Sequence, residues 1–479
     1  MWSNLFWPII VVAMEIVLVG WATVHAVLNK RDTRAVIGWV GLVWFAPILG
    51  AVVYFCFGIN RIQRKAESLD LNQSWESQVT LLPAEEIKRD RLIEEFPALV
   101  GQAKLVRNLT GHRVVPGNQV DPLIDGDQAY PEMLKAIGQA ERSVSLLSYI
   151  FDDDRVGQEF AVELGKASAR GVDVRVLVDD VGARYSRPTI LNRLNHIEVK
   201  AMTFLPTRIP RLFKYANLRN HRKLLVVDGR IGFTGGTNIR EGHQLSLSPE
   251  FPVQCLHFRI EGPVVNHLQQ SFCRDWAFAS GESLQGDTWF PALSRVGDVW
   301  CRGIPDGPDE DLDKMPLTLI GAISAAQKSL TVVTPYFLPN TAIFTALQAA
   351  ALREVEVNIL LPAKNNIALV QWATRPSLRY LLDRGCRIHL SPAPFDHTKV
   401  VIVDNVWTLI GSTNWDPRSL RLNFEFNVEC YDQRLAQRIQ GIVDAKIAKS
   451  HELLIEELDR DPFAMRIRDG LARLLSPYL

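Results

Sequence analysis

The chain has no net charge: 53 Lys and Arg stand against 53 Asp and Glu across 479 residues. A general nucleic-acid binder carries a basic surplus, so the balance argues against that class and leaves room only for a local basic groove. Cysteine is sparse, at Cys56, Cys255, Cys273, Cys301, Cys386 and Cys430, with no C-x-x-C pair. That excludes a disulfide-framed fold, and the spacing does not suit zinc. Scattered free thiols sit more easily in a reducing compartment and lean the catalytic part of the chain towards the cytoplasm. No metal and no cofactor is expected.

Long apolar runs are confined to the start. Residues 5–28 are broken only by Glu15, His25 and small residues, and residues 35–58 are uncharged. Each is long enough to cross a hydrocarbon core of about 30 Å as a helix. The first run is longer than the core of a cleaved signal, and no basic leader precedes it. Residues 1–60 therefore read as a two-span transmembrane hairpin, with Trp2, Trp7, Trp39 and Trp44 suited to the interfaces. Pro47 and several glycines leave a re-entrant second segment open. The flanking basic residues nearly tie, Lys30, Arg31 and Arg34 against Arg61, Arg64 and Lys65, so charge does not fix the sidedness.

At roughly 150 residues per domain the chain suits about three domains. Residues 61–110 read as a charged helical connector. Helices at 130–140 and 157–169 alternate with strands at 143–151 and 172–178, and the order returns as a helix at 317–326, a strand at 330–336, a helix at 342–352 and a strand at 355–361. The expectation is an α/β fold with two similar domains, 111–300 and 301–479, joined in the Gly- and Asp-rich stretch 303–314.

The repeat carries chemistry. His221-Arg-Lys223 runs through an apolar tetrapeptide to Asp228, and His397-Thr-Lys399 does the same to Asp404. Each copy continues to Gly and then Asn, through Gly236 to Asn238 and through Ser412 to Asn414. One H-x-K-x4-D is expected by chance on the order of 0.03 times in this length; two with matched downstream residues are not coincidence. If 221–227 and 397–403 are strands, His and Lys alternate onto one face and reach one phosphate. Asp228 and Asp404 then end their strands, where a carboxylate can orient an imidazole or hold structure. Phosphodiester cleavage needs a nucleophile, a proton for the leaving alkoxide and positive charge about phosphorus. Two facing halves supply two imidazoles, two ammonium groups and two Asn amides, with Gly235-Gly236 and Gly411-Ser412 allowing close backbone approach.

These paired blocks resemble the HKD motifs of the phospholipase D superfamily. The hairpin, Tyr149-Ile-Phe151, Arg219-Asn220, Ile260-Glu-Gly262-Pro263, Thr334-Pro-Tyr336-Phe-Leu-Pro339, Asp416-Pro-Arg418-Ser419, Asn423-Phe-Glu425 and Ser476-Pro477-Tyr-Leu479 are similar to the bacterial cardiolipin synthase branch. The resemblance implies two phospholipase D-like domains, each a mixed sheet flanked by helices, sharing one central site. It implies His221, Lys223, Asp228, His397, Lys399 and Asp404 as catalytic residues and Asn238, Asn414, Gly236 and Ser412 as substrate-binding ones. It further implies phosphatidyl transfer between two phosphatidylglycerols through a phosphohistidine on His221, in a multi-pass protein of the bacterial cytoplasmic membrane. A phospholipase D-type hydrolase, or transfer to another alcohol or from phosphatidylethanolamine, uses the same residues. An oligomer is compatible with the sequence. One departure stands out: many such synthases carry an Asp two residues before the His that precedes the Arg-Ile-Glu-Gly-Pro strand, and here that position is Cys255, which puts the acceptor in question. The segment Arg240-Glu-Gly-His243 also differs. His112, His243, His267, His389 and His451 read as ordinary core or surface residues, and a site role for His257 is left open. Residues 204–219 and a helix at 463–475 interleave aromatic or aliphatic side chains with arginines, as lipid-contacting segments do.

Overall fold

The computed structural model describes residues 3–30, 33–58, 95–206, 218–308 and 313–476. Arg31 and Asp32 of the first loop, most of the connector (59–94), the basic-aromatic stretch 207–217 and the terminal 477–479 lie outside the described residues. Two compact units emerge among the described residues: one within 3–58, the other from 95 onwards.

In the first unit, helix α1 (Ser3–Asn29) is 27 residues long, about 40 Å at 1.5 Å per residue. Its stretch Trp7–Asn29 is long and apolar enough to cross a membrane. The second uncharged run is not one spanning helix, which corrects the two-span expectation. It breaks at Ala46 into α2 (Thr33–Phe45) and α3 (Pro47–Val53), followed by a π-helical turn at Tyr54–Gly58. Pro47 has no amide hydrogen with which to continue α2, and it suits the first turn of a new helix. Gly50 lets α3 double back: a Cβ there would lie 2.5 Å from the Leu42 carbonyl oxygen, eight residues earlier. At about 20 Å, α2 alone falls short of a bilayer core. α1, α2 and the π-helical turn pack through Ala22, Ala26, Val43 and Tyr54, and the Tyr54 hydroxyl shares a 2.7 Å hydrogen bond with His25 Nδ1.

The second unit is built on one mixed sheet of sixteen strands: fourteen main strands, seven from each half, and the two-residue segments Arg219–Asn220 and His451–Glu452. Its first half supplies β1 (Val115–Ile124), β2 (Ser143–Ser148), β3 (Asp173–Asp179), β4 (Lys200–Phe204), β5 (Leu224–Val227), β6 (Ile231–Gly235) and β7 (Leu256–Glu261). The second half supplies β8 (Val299–Asp306), β9 (Ser329–Val333), β10 (Glu356–Pro362), β11 (Arg387–Ser391), β12 (Val400–Val403), β13 (Trp407–Gly411) and β14 (Asn423–Tyr431). From the centre outwards the order is β1-β7-β6-β5-β2-β3-β4 on one side and β8-β14-β13-β12-β9-β10-β11 on the other. Each strand thus has its counterpart seven strands later. β2-β3-β4 and β9-β10-β11 are parallel and enclose helices, among them Arg155–Ala169 and Thr341–Leu352; the inner strands are antiparallel. The run of Val, Leu and Ile in β2, β5, β9 and β12 is buried on both faces, as strands covered on both sides require.

The halves do not separate. β1 and β8 pair antiparallel at the middle, so the two expected domains form one continuous sheet within one compact body. β8 also claims Gly303–Asp306, so the expected junction begins only after that strand. Each half keeps its own core, one around Phe151, Phe160, Val176 and Phe233, the other around Leu319, Val332, Ile359 and Trp407. The described end of the connector, helix Val100–Thr110, buries Val106 in the second core.

Candidate active site

Two short parallel pairings cross between the halves. Arg219–Asn220 pairs with the start of β14, and Phe395–Asp396 pairs with Val253–Gln254. As a result the His221 amide donates to the Phe424 carbonyl (2.9 Å), and the His397 amide donates to the Gln254 carbonyl (2.7 Å). Each histidine backbone is anchored by the opposite half. The two rings stand 6.4 Å apart, centroid to centroid, at 81°. The aromatic neighbours are matched too: Tyr149 lies edge-on to His221 at 5.0 Å, and Tyr336 to His397 at 6.4 Å.

His221, Lys223, His397 and Lys399 are all buried. They lie ahead of β5 and β12 rather than on them, so the expected alternation does not place them; the crossing pairings do. Each lysine turns back on its own motif, Lys223 Nζ donating to the His221 carbonyl and Lys399 Nζ to the His397 carbonyl, both at 2.7 Å. Burial pulls the ammonium of Lys223 down to about 7 and that of Lys399 down to about 8. Burial also pulls His221 down to about 4, against the neighbouring Glu425 carboxylate, and holds His397 well below the ordinary histidine range.

Behind the imidazoles the symmetry fails. His221 Nδ1 lies 3.0 Å from both carboxylate oxygens of Glu425, a residue of β14 with no exposed surface. Burial pushes the Glu425 carboxyl up, but His221, Lys223 and the Ser412 hydroxyl together bring it below its ordinary value. An ionised Glu425 fixes the Nδ1–H tautomer of His221 and leaves Nε2 with its lone pair. His397 Nδ1 instead donates to the Gly236 carbonyl at 2.9 Å. The strand register explains the difference. Gly411 pairs with Asn427 and Gly235 with His257, so Cys255 occupies in the first half the position that Glu425 occupies in the second. Burial raises the Cys255 thiol to about 11, so it is neutral, and it donates to the His397 carbonyl at 3.4 Å. Gly236 must be glycine, since a Cβ would come within 2.6 Å of Cys255 Sγ and 2.7 Å of the His397 oxygen. The departure at Cys255 thus bears on the backbone of His397.

Asp228 and Asp404 do not reach the imidazoles, which corrects their placing among the catalytic groups. About 16 Å of extended chain separates Lys223 from Asp228. The Asp228 carboxylate accepts from the amides of Glu141, Arg142 and Ser143, and Asp404 from those of Gln327, Lys328 and Ser329. Both sit at positive φ, +53° and +51°, and clamp the turns that lead into β2 and β9. Among the residues expected to bind substrate, Gly236 supports His397 and Ser412 Oγ accepts from the Phe426 amide at 3.0 Å. Asn238 Oδ1 accepts from the Ile150 amide, and Asn414 Nδ2 donates to Ser419 Oγ. Both asparagines are buried behind the motifs. Two residues gain importance. Glu425 was visible only as part of a resemblance; its counterpart relation to Cys255 needs the register. His243, read as ordinary, lies 6.2 Å from the His397 ring and accepts from the Asn238 amide through Nε2.

The family described as "Cardiolipin synthase, PLD-like domain" matches residues 133–276 and 319–446, and "Phospholipase_D-nuclease N-terminal" matches 17–58. Relatives include Cardiolipin synthase 2 of Staphylococcus epidermidis, 29% identical over 100% of this chain and 99% of that protein. The Major cardiolipin synthase ClsA of Bacillus subtilis is 30% identical over 94% and 95%. Among solved structures, phosphatidylserine synthase of Haemophilus influenzae overlays with a TM-score of 0.63 over 79% of this chain and all of its own, at 15% identity, a likeness of fold. Full-length relatives, both family matches and the paired His-Lys blocks agree: the chain belongs to the phospholipase D-like cardiolipin synthase family.

Proposed function

We infer that this chain is a cardiolipin synthase, a phosphatidyltransferase that joins two phosphatidylglycerols into cardiolipin and releases glycerol. The observation that carries the reading is the buried pair of imidazoles, 6.4 Å apart, with Lys223 and Lys399 beside them. A phosphodiester between the rings would meet a nucleophile on one side and a proton donor on the other.

His221 is the proposed nucleophile, because Glu425 holds its Nδ1–H and leaves Nε2 to attack phosphorus. The phosphate anion favours protonation of the buried groups around it, so His397 carries a second proton and the lysines stay charged. As the P–N bond forms, the P–O bond to glycerol breaks and His397 Nε2 gives its proton to the departing oxygen. A second phosphatidylglycerol enters, neutral His397 takes the proton of its free hydroxyl, and the new P–O bond releases His221. The lysines balance charge on phosphorus in both steps. Burial of all four groups favours a lipid hydroxyl over water as acceptor.

We further propose that residues 111–300 and 301–479 are the two phospholipase D-like repeats, and that α1 anchors them in the bacterial cytoplasmic membrane with the repeats on the cytoplasmic side. Five described cysteines that are free and buried support that side.

Reconstitution with labelled phosphatidylglycerol as the sole lipid tests the activity. Cardiolipin and glycerol in equal amounts are expected. Phosphatidic acid as the main product would favour hydrolysis instead. Acid-quench trapping tests the assignment: a phosphatidyl adduct that survives in His221→Ala would contradict it.

A further inference from the structure

Helix α4 (Ala368–Leu382) carries on its outside the last described helix, α5 (Phe463–Leu474). A terminal helix of a soluble body turns its apolar stripe inward. Here the arrangement is reversed. The face against the body holds Asp469 and Ala472, while Arg468 stacks on Trp372 at 4.6 Å and bonds Asp469. Phe463, Ile467, Leu471 and Leu474, spaced 4, 4 and 3 residues apart, form one outward stripe with exposures of 77%, 49%, 60% and 72%. Arg466 and Arg473 lie along one flank and are exposed. The helix is held at its start by Arg375, which donates twice to Asp461 at 2.6 and 2.8 Å. The outward apolar face is therefore a fixed feature, not a frayed end.

We propose that α5 docks flat on an anionic phospholipid bilayer, its stripe in the acyl boundary and its arginines at the phosphates. The charge matches: the flank is basic, and the substrate in the reading above, on which this rests, is an anionic lipid. The position adds a purpose. Ala472 packs in one cluster with Leu338, Val370 and Ala373, and Tyr336 packs against that same cluster with its ring turned to His397. The Tyr336 hydroxyl donates to Asn366, beside the exposed Ile367. A bilayer-held α5 would fix this wall of the site at the headgroup layer, where both substrates reside.

The test uses the full chain in vesicles of phosphatidylglycerol and phosphatidylethanolamine. A fluorophore on Leu471→Cys is read against one on Lys166→Cys, with spin-labelled lipids as quenchers. Strong quenching at position 471 and little at 166 is expected. Equal quenching would overturn the proposal, whatever the cardiolipin output of the same vesicles; conversely, selective quenching without cardiolipin would leave docking standing and sink the functional reading. A second variant, Ile467→Glu with Leu471→Glu, is assayed on vesicles and on dispersed short-chain phosphatidylglycerol. A loss of about tenfold on vesicles alone is expected. Equal rates with the parent on both, equal loss on both, or a change of mass in detergent showing that the stripe joins two copies, would overturn it.

Discussion

Cys255→Asp is the substitution on which the asymmetry of the site turns. It returns a carboxylate to the position that answers to Glu425 across the repeat. The thiol it replaces is fully buried, against the His397 carbonyl and under Gly236. Asp is of similar size, and Lys399 lies close enough for its charge to act on Cys255 and to offset part of the desolvation. A carboxylate at a separation of about 5 Å from an imidazole, at an effective dielectric near 20, would favour the imidazolium by about 3 kcal/mol, on the order of a hundredfold in protonated fraction.

Because His397 is held well below the ordinary histidine range by burial, protonating it is a burden on the first half-reaction. A more basic His397 relieves that burden, but a weaker acid also passes its proton on less readily, so roughly half of the logarithmic gain is lost. The expected outcome is glycerol release about tenfold faster at neutral pH, measured in a single turnover with labelled phosphatidylglycerol. Cys255→Asn has the same shape without the charge and should give no gain. A Cys255→Asp protein that melts like the parent and releases glycerol no faster would refute the argument that Cys255 limits His397.

Three further outcomes follow from the same geometry. Glu425→Gln removes the charge that fixes the His221 tautomer and should lower kcat/KM by about 10² to 10⁴ and abolish the trapped adduct, read by quench-flow. Asp228→Asn and Asp404→Asn each weaken a clamp on three backbone amides; they should cost about 1.5–3 kcal/mol in a melt while the folded protein keeps most of its kcat, and a hundredfold kcat loss at unchanged Tm would restore these aspartates to the chemistry. The pH profile of kcat/KM should fall on the alkaline side as Lys223 and Lys399 lose protons through about 7 and about 8, and on the acid side as His221 gains one near 4; bound phosphate stabilises both ammonium groups, so the alkaline fall in kcat should lie higher, and a kcat/KM flat to about pH 10 would refute it.

The apolar runs of β5 and β12 were legible, because Leu, Val and Ile between a polar motif and a turn leave little choice, but not that each strand begins only after its lysine. The helix and strand alternation in each half was legible for the same reason, with boundaries off by a few residues. Three things were not. The role of Asp228 and Asp404 depends on a positive φ and on amides 75 to 87 residues earlier, which no local pattern announces. The doubling back of the second apolar run, beyond the break that Pro47 left open, depends on Gly50 meeting Leu42, a contact that composition cannot encode. Glu425 lies 204 residues from the imidazole it orients, and only the strand register reveals its match to Cys255.

That match explains why a doubled motif need not be a doubled function. Each half lends the other the backbone that seats its histidine, Phe424 for His221 and Gln254 for His397, so neither half holds a complete site. Once both are needed, the two supporting positions are free to differ. A carboxylate behind one ring and a neutral carbonyl behind the other separate a ring suited to attack from one suited to exchange a proton. Transfer between two nearly identical lipids asks for that division, since attack and leaving-group protonation occur at one phosphorus from opposite sides. The sheet supplies the shared scaffold, and the difference between Cys255 and Glu425 is where its two halves part.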